Sequence, residues 1–189
     1  MFLKRFFSRK PLNLINPPMF QSANFSSKAF ITQRAPHFEG TAWHRDDFKE
    51  ISLKDYFGKY LVLFFYPFDF SFVCPTEILD YSSIAKDLRK SNCEVVGCSV
   101  DSHFTHRQWD ITPREEGGLG GLDIPLLSDQ SHKISKDYGV LLPGGMALRG
   151  TFIIDDKGIL RHSTINDLAV GRNIAETKRL VEEFQYTDK

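Results

Sequence analysis

An α/β fold, with a mixed central sheet covered by helices on both faces, is what this sequence predicts, and three observations predict it. The run Tyr60 to Tyr66 is apolar and aromatic throughout, as expected of a strand buried on both faces. Between residues 59 and 138, strand-like and helix-like patterns alternate. The chain then closes with a hairpin signal followed by one amphipathic helix.

Each element follows from a local pattern. Gly40 to Glu50 is short and polar-aromatic and receives no assignment. Lys59 to Tyr66 is the first strand, and Pro67 ends it because proline cannot donate to a ladder. From Pro75 onward Ile78, Tyr81, Ala85 and Leu88 recur at spacings of three and four, one face of a helix. Glu94 to Val100 returns to strand, His103 to Ile111 to helix, and Gly117 to Gly121 forms a loop before a short strand around Pro125 to Leu127. Ser131 to Tyr138 reads as helix with Gly139 as its stop. Thr151 to Ile154 and Ile159 to Ile165 flank the turn signal Asp156-Lys157-Gly158 and make an antiparallel hairpin. Ile174, Thr177, Val181 and Phe184 mark the last helix.

Composition narrows the function classes. At 189 residues, 41% hydrophobic and 25% charged, the chain has the makeup of one ordinary globular domain. Its 24 basic and 24 acidic residues balance, which removes any overall electrostatic case for nucleic acid or an anionic membrane. The longest apolar run is far short of the ~18 residues of a membrane span, so no membrane insertion is expected. Three cysteines are too few for a disulfide scaffold, and an odd count leaves a free thiol, which favours a reducing compartment. The balance hides an asymmetry: residues 1–38 hold six of the basic residues and no acid, leaving the remainder at net −6. That acid-free stretch, with Ser8, Ser22, Ser26 and Ser27, has the composition of an organelle transit peptide, and a disordered basic arm is the plainer alternative. The expected division is residues 1–30 as a mitochondrial transit peptide and 31–189 as the folded domain, located in the matrix.

Cys74 stands where a predicted strand gives way to a predicted helix, just before Pro75. Near a helix N-cap, unpaired backbone N–H groups and the positive end of the dipole lower a thiol below its ordinary ~8.5. A nucleophilic cysteine is one reading and a buried small hydrophobe the other; these residues alone leave both open.

The segment Phe65-Tyr66-Pro67-Phe68-Asp69-Phe70-Ser71-Phe72-Val73-Cys74-Pro75-Thr76-Glu77 contains Pro67-x-x-x-Ser71-x-x-Cys74, which resembles the Pro-x-x-x-Thr/Ser-x-x-Cys motif of peroxiredoxins. Ser99 to His106, Gly117-Gly118-Leu119-Gly120, Arg149 to Asp155 and Val170-Gly171-Arg172 are similar to further blocks of the typical two-cysteine subfamily, in the same order. The resemblance runs from about Gln33 to Lys189. It implies a thioredoxin-like fold and a thiol peroxidase in which the Cys74 thiolate attacks the peroxide O–O bond, releases water or alcohol and becomes a sulfenic acid. It assigns Ser71 a hydroxyl hydrogen bond to the peroxide, Arg149 a fixed charge beside thiolate and oxygens, and Pro67 a shielding role. Glu77 and Arg172 match residues that hold the arginine in a network, although by themselves they read as ordinary surface charges. No cofactor or metal is implied.

A magnitude limits what ionisation can do. At pH 7 a thiol of pKa ~8.5 is already about 3% thiolate, so full deprotonation gains at most about thirtyfold. Positioning of the peroxide and stabilisation of its departing oxygen must supply the rest, which gives Ser71 and Arg149 more than a pKa-lowering role.

Other motifs are weaker. Cys93 and Cys98 with His103 and His106 superficially offer a zinc set, but a Cys-x4-Cys pair across a strand is poor spacing, and Cys98 is expected in the core. Gly117 to Gly121 lacks the Lys and Ser/Thr of a phosphate loop. Phe64, Phe65, Phe68, Phe70 and Phe72 are expected as core and subunit contacts. Typical two-cysteine chains continue into a segment with a resolving cysteine, whereas this sequence ends at Lys189, and neither Cys93 nor Cys98 matches the resolving position. The expected enzyme therefore reduces hydrogen peroxide and organic hydroperoxides and is recycled by thioredoxin or a small-molecule thiol. The same resemblance implies a homodimer or a ring-like homo-oligomer, with Ile159 to Ile165 as the pairing edge. The alternative is a scaffold or chaperone of the same fold with vestigial turnover.

Overall fold

The computed structural model describes residues 28–71 and 74–189, with Cys74 described by its backbone alone. In chain order the described elements are β1 (Glu39–His44), β2 (Asp47–Ser52), β3 (Tyr60–Phe65), α1 (Cys74–Lys90), β4 (Cys93–Ser99), α2 (His103–Ile111), β5 (Leu126–Ser128), α3 (Lys133–Asp137), β6 (Arg149–Ile154), β7 (Leu160–Asn166) and α4 (Ile174–Thr187). The strands form one seven-stranded sheet in the order β2-β1-β5-β4-β3-β6-β7. Its centre is parallel, because β3 reaches β4 through α1 and β4 reaches β5 through α2. Its margins are antiparallel: β1 pairs with β5 and β2, and β6 with β3 and β7.

β3 is buried at every position, and alternation divides its side chains between two cores. Val62 and Phe64, with Tyr66 just beyond, pack with Ile78 and Tyr81 of α1, Trp109 of α2 and Val181 of α4. Leu61, Leu63 and Phe65 pack on the other face with Ile134 of α3, Tyr138, Ala35 and Phe38. Each such side chain removed from water contributes about 1.5–3 kcal/mol, which is why this strand is central. Cys93 joins the first core and Cys98 the second. An odd separation along a strand sends the two thiols to opposite faces, the reason they cannot share a ligand.

Two segments differ from the sequence expectation. The stretch Gly40 to Glu50, left unassigned, belongs to a hairpin joined through Arg45 (φ 50°) and Asp46 (φ 63°). Such a two-residue turn needs positive φ at both positions, usually signalled by Asn-Gly or Asp-Gly, and Arg-Asp carries no such signal. The helix expected over Ser131 to Tyr138 is the shorter Lys133–Asp137. His132 takes φ 60°, so regular backbone starts only at Lys133, and the buried Asp129 carboxylate accepts the first-turn N–H groups of Ile134 (3.1 Å) and Ser135 (2.6 Å). In the glycine-rich loop a Cβ on Gly118 would lie 2.0 Å from the Thr112 carbonyl oxygen, so this turn closes only on glycine.

Of the expected leader, residues 1–27 lie outside the described residues. Lys28 donates its N–H to the Asp137 carbonyl (2.8 Å), its ammonium lies 2.7 Å from the Asp137 carboxylate, and Ala29 packs on the second core. No helix among the described residues is long and apolar enough to cross a membrane.

Candidate active site

Where β3 runs out, the chain must turn from the sheet centre to α1. Tyr66 and Pro67 are buried, Phe68 and Phe70 are exposed, and Asp69 turns back inside. Phe70 has φ 54°, a left-handed conformation that costs a non-glycine residue about 1–2 kcal/mol. The Ser71 hydroxyl donates to the Phe68 carbonyl oxygen (2.9 Å) and closes the turn. Cys74 is the first residue of α1, and Pro75 follows in the first turn, where a missing N–H costs nothing. Of the aromatic run expected as core and subunit contacts, Phe64 and Phe65 are buried and Phe68 and Phe70 are exposed; Phe72 lies outside the described residues.

Glu77 is one turn beyond Cys74, on the same face of the helix by its spacing of three. Its carboxylate is 6% exposed and accepts the Arg149 guanidinium (2.6 Å) and three donors of Arg172: the backbone N–H (2.7 Å), Nε (3.1 Å) and Nη2 (3.0 Å). Arg172 also donates to the Phe65 (2.7 Å) and Gly150 (3.0 Å) carbonyls, and its guanidinium lies over the rings of Phe64 and Tyr81. Arg149 gives Nε–H to the Leu168 carbonyl (2.8 Å). Burial works against ionising Glu77, but hydrogen bonds and charge from Arg172, with the charge of Arg149, outweigh it and hold the carboxyl below its usual range. Two guanidinium groups meet one carboxylate near the start of α1. The surface-charge reading of Glu77 and Arg172 is thus overturned: both side chains are buried, because each satisfies the other.

A second buried network holds the turn itself. Asp69 Oδ2 lies 2.7 Å from His106 Nδ1, Asp69 Oδ1 accepts the Tyr66 hydroxyl (2.8 Å), and the Asp69 N–H donates to Asp101 (2.9 Å). The sequence reading missed this set. Its available signal was the helical spacing of His106 and Trp109, which puts an imidazole on the apolar face of α2. Of the expected site residues, the described side chains of Pro67, Ser71, Glu77, Arg149 and Arg172 fall in the β3–α1 turn and the cluster behind it. Cys93 and Cys98 are buried in β4 away from it; burial and then Glu94 push the Cys93 thiol up to about 12, and burial and then Asp129 push Cys98 well above its ordinary value.

A parallel centre with antiparallel margins and a cysteine opening the helix after the central strand defines a thioredoxin-like fold. The chain belongs to the peroxiredoxins of the AhpC/TSA family, whose family model matches residues 31–163. It is 62% identical over 164 residues to Peroxiredoxin-4 of Homo sapiens, an alignment covering 86% of this chain and 60% of that protein. It is 55% identical over 171 residues to the mitochondrial thioredoxin-dependent peroxide reductase of Homo sapiens, covering 90% and 67%. The chain thus spans 60% of the length of the Peroxiredoxin-4 relatives it matches. Among solved structures, the reduced 2-Cys peroxiredoxin of Plasmodium vivax superposes with a TM-score of 0.82 at 40% identity, covering 85% of this chain and 84% of that one.

Proposed function

We propose that this protein is a thiol peroxidase acting on hydrogen peroxide and organic hydroperoxides through Cys74. The observation that carries the reading is the buried cluster of Glu77, Arg149 and Arg172, which gathers two guanidinium charges near the helix end that Cys74 opens. Those charges and the helix dipole both favour a thiolate at this position. The thiolate sulfur attacks one peroxide oxygen, the O–O bond breaks, and the departing oxygen takes a proton and leaves as water or alcohol; cysteine is oxidised to sulfenic acid. Arg149 stabilises charge on the departing oxygen, Ser71 orients the peroxide with its oxygen lone pairs while its O–H donates to the Phe68 carbonyl, and buried Pro67 limits water. Two external thiols then return the sulfenic acid to thiol with release of water and a disulfide. Cys93 and Cys98 are buried with raised pKa values, so the reducing thiol comes from outside the described cysteines, from thioredoxin or a small-molecule thiol.

The mitochondrial matrix is the proposed location, supported by the basic, acid-free residues 1–38 and by the mitochondrial relative, with residues 1–30 as leader and 31–189 as catalytic domain. A homodimer or ring-like oligomer is the proposed assembly, since β7 is an edge strand with Ile165 exposed. The test is stopped-flow peroxide reduction by wild type and Cys74→Ser. Second-order oxidation far above that of free cysteine, lost in Cys74→Ser, is expected. A rate near that of free cysteine in the wild type would favour the scaffold reading.

A further inference from the structure

Resting on that reading, we infer that His106, through its pair with Asp69, is a positioning residue for the reaction at Cys74: it sets the turn that presents Ser71 to the peroxide. The pair is wholly interior, with side chains 0% and 1% exposed. His106 is offered acceptors on both ring nitrogens, the Asp69 carboxylate at Nδ1 (2.7 Å) and the Leu127 carbonyl at Nε2 (3.3 Å). The two contacts hold the imidazole ring in one orientation against the Asp69 carboxyl group. Tyr66 caps the other Asp69 oxygen, and burial raises the Asp69 carboxyl while the His106 hydrogen bond opposes it.

What makes this network a device for position is where its forces end. Asp69 stands between Phe68, whose carbonyl receives the Ser71 hydroxyl, and Phe70, whose positive φ is unfavourable for a side chain of that size. A strained residue persists only where its surroundings over-determine it. Here they do so through three contacts: α2 grips Asp69 with His106, α2 also packs Trp109 against the Phe70 ring (5.9 Å), and the β4–α2 turn holds the Asp69 N–H through Asp101, itself fixed by Ser99 (2.7 Å). Loss of the His106 contact lets Phe70 relax and moves Ser71, while the Glu77 cluster behind α1 keeps its own contacts. The expected signature is therefore a loss of peroxide chemistry without loss of thiol reactivity in general.

The experiment compares two rate constants at Cys74, peroxide oxidation and iodoacetamide alkylation, in wild type, His106→Leu and the near-isosteric Asp69→Asn, with thermal unfolding to identify the folded population. His106→Leu is expected to slow oxidation at least about tenfold, since displacements near 1 Å cost reactions up to a hundredfold, and Asp69→Asn about threefold. Alkylation in both is expected to stay within about twofold of wild type or to rise. Equal losses in both reactions would show that the pair supports thiol ionisation or folding instead, and an unchanged oxidation rate in either folded variant would equally overturn the inference. Absence of Cys74-dependent peroxide reduction in the wild type itself would overturn the peroxidase reading and this one with it.

Discussion

Two buried ionic networks flank position 74, and they are built differently. Behind the start of α1, Glu77 is shared by the guanidinium groups of Arg149 and Arg172. Ahead of it, Asp69 is held by His106, by the Tyr66 hydroxyl and, through its own N–H, by Asp101. Guanidinium charge acts at a distance, through field; hydrogen bonds to a turn act through contact, by fixing geometry. The same helix end thus receives charge from one side and shape from the other, and the two contributions can be separated by changing one network at a time.

The largest separation is expected at Arg149. Arg149→Met removes a guanidinium charge from the cluster behind α1, and oxidation is expected to slow by more than about thirtyfold at pH 7, the most that ionisation alone supplies. Stopped-flow rates across pH check this: complete recovery at high pH would reduce Arg149 to a device for thiol ionisation and erase the contrast with His106. Glu77→Gln acts next, mainly on stability. It leaves two interior guanidinium groups without their carboxylate, and removal of one partner from a buried pair costs about 3–5 kcal/mol. Thermal unfolding should therefore shift down by roughly 6–20 °C for a chain of this size. A shift under a degree or two would mean that water or backbone carbonyls already satisfy the arginines.

Acid distinguishes the networks more gently. Glu77 has a folded pKa below its unfolded value near 4.3, so its contribution is complete above that value and is lost as pH falls through the folded one. Asp69 runs the other way: burial raises it against the pull of His106, so acid removes no stability through that carboxylate over the same range. Melting curves between pH 5 and 2.5 are expected to fall more steeply in wild type than in Glu77→Gln. Parallel curves would show that Glu77 titrates like an ordinary surface carboxylate.

What could be read in advance follows how far apart the partners are. The bounds His103 to Ile111, the buried run from Tyr60 and the hairpin around Asp156-Lys157-Gly158 are local patterns, and the structure has them within a residue or two. The β1–β2 hairpin escaped because its turn residues, Arg45 and Asp46, take positive φ without a glycine to announce it. The burial of Glu77 depends on arginines 72 and 95 positions later, and that of Asp69 on a histidine 37 positions later, separations at which no periodicity carries information. Glu77, Arg149 and Arg172 were still picked out, because a family resemblance encodes contacts that a single chain does not display. Asp69 and His106 lay within the quoted blocks yet were read as spacer and as part of a weak zinc set.

The smallest expected effect concerns the two cysteines outside both networks. Cys93 packs in the core under α1 and Cys98 in the core on the opposite face of the sheet, and neither bonds to Glu77, Arg149, Asp69 or His106. With its thiol pushed up to about 12, Cys93 at pH 7 is thiolate to the extent of about one part in 10⁵, against about 3% for a free thiol. Cys98, pushed well above its ordinary value by burial, is likewise kept in the thiol form. Since the thiolate is the nucleophile, neither competes for peroxide while the protein is folded. Cys93→Ser and Cys98→Ser are therefore expected to leave the oxidation rate within about twofold, at a stability cost of about 1–3 kcal/mol for a hydroxyl placed in an apolar core. Timed iodoacetamide labelling followed by mass measurement checks the same point without mutation: one fast thiol in the folded chain, and all three of its cysteines in denaturant. A second fast thiol at position 93 or 98 would mean that the sheet opens on the labelling timescale, and the assignment of peroxide chemistry to position 74 alone would fall with it.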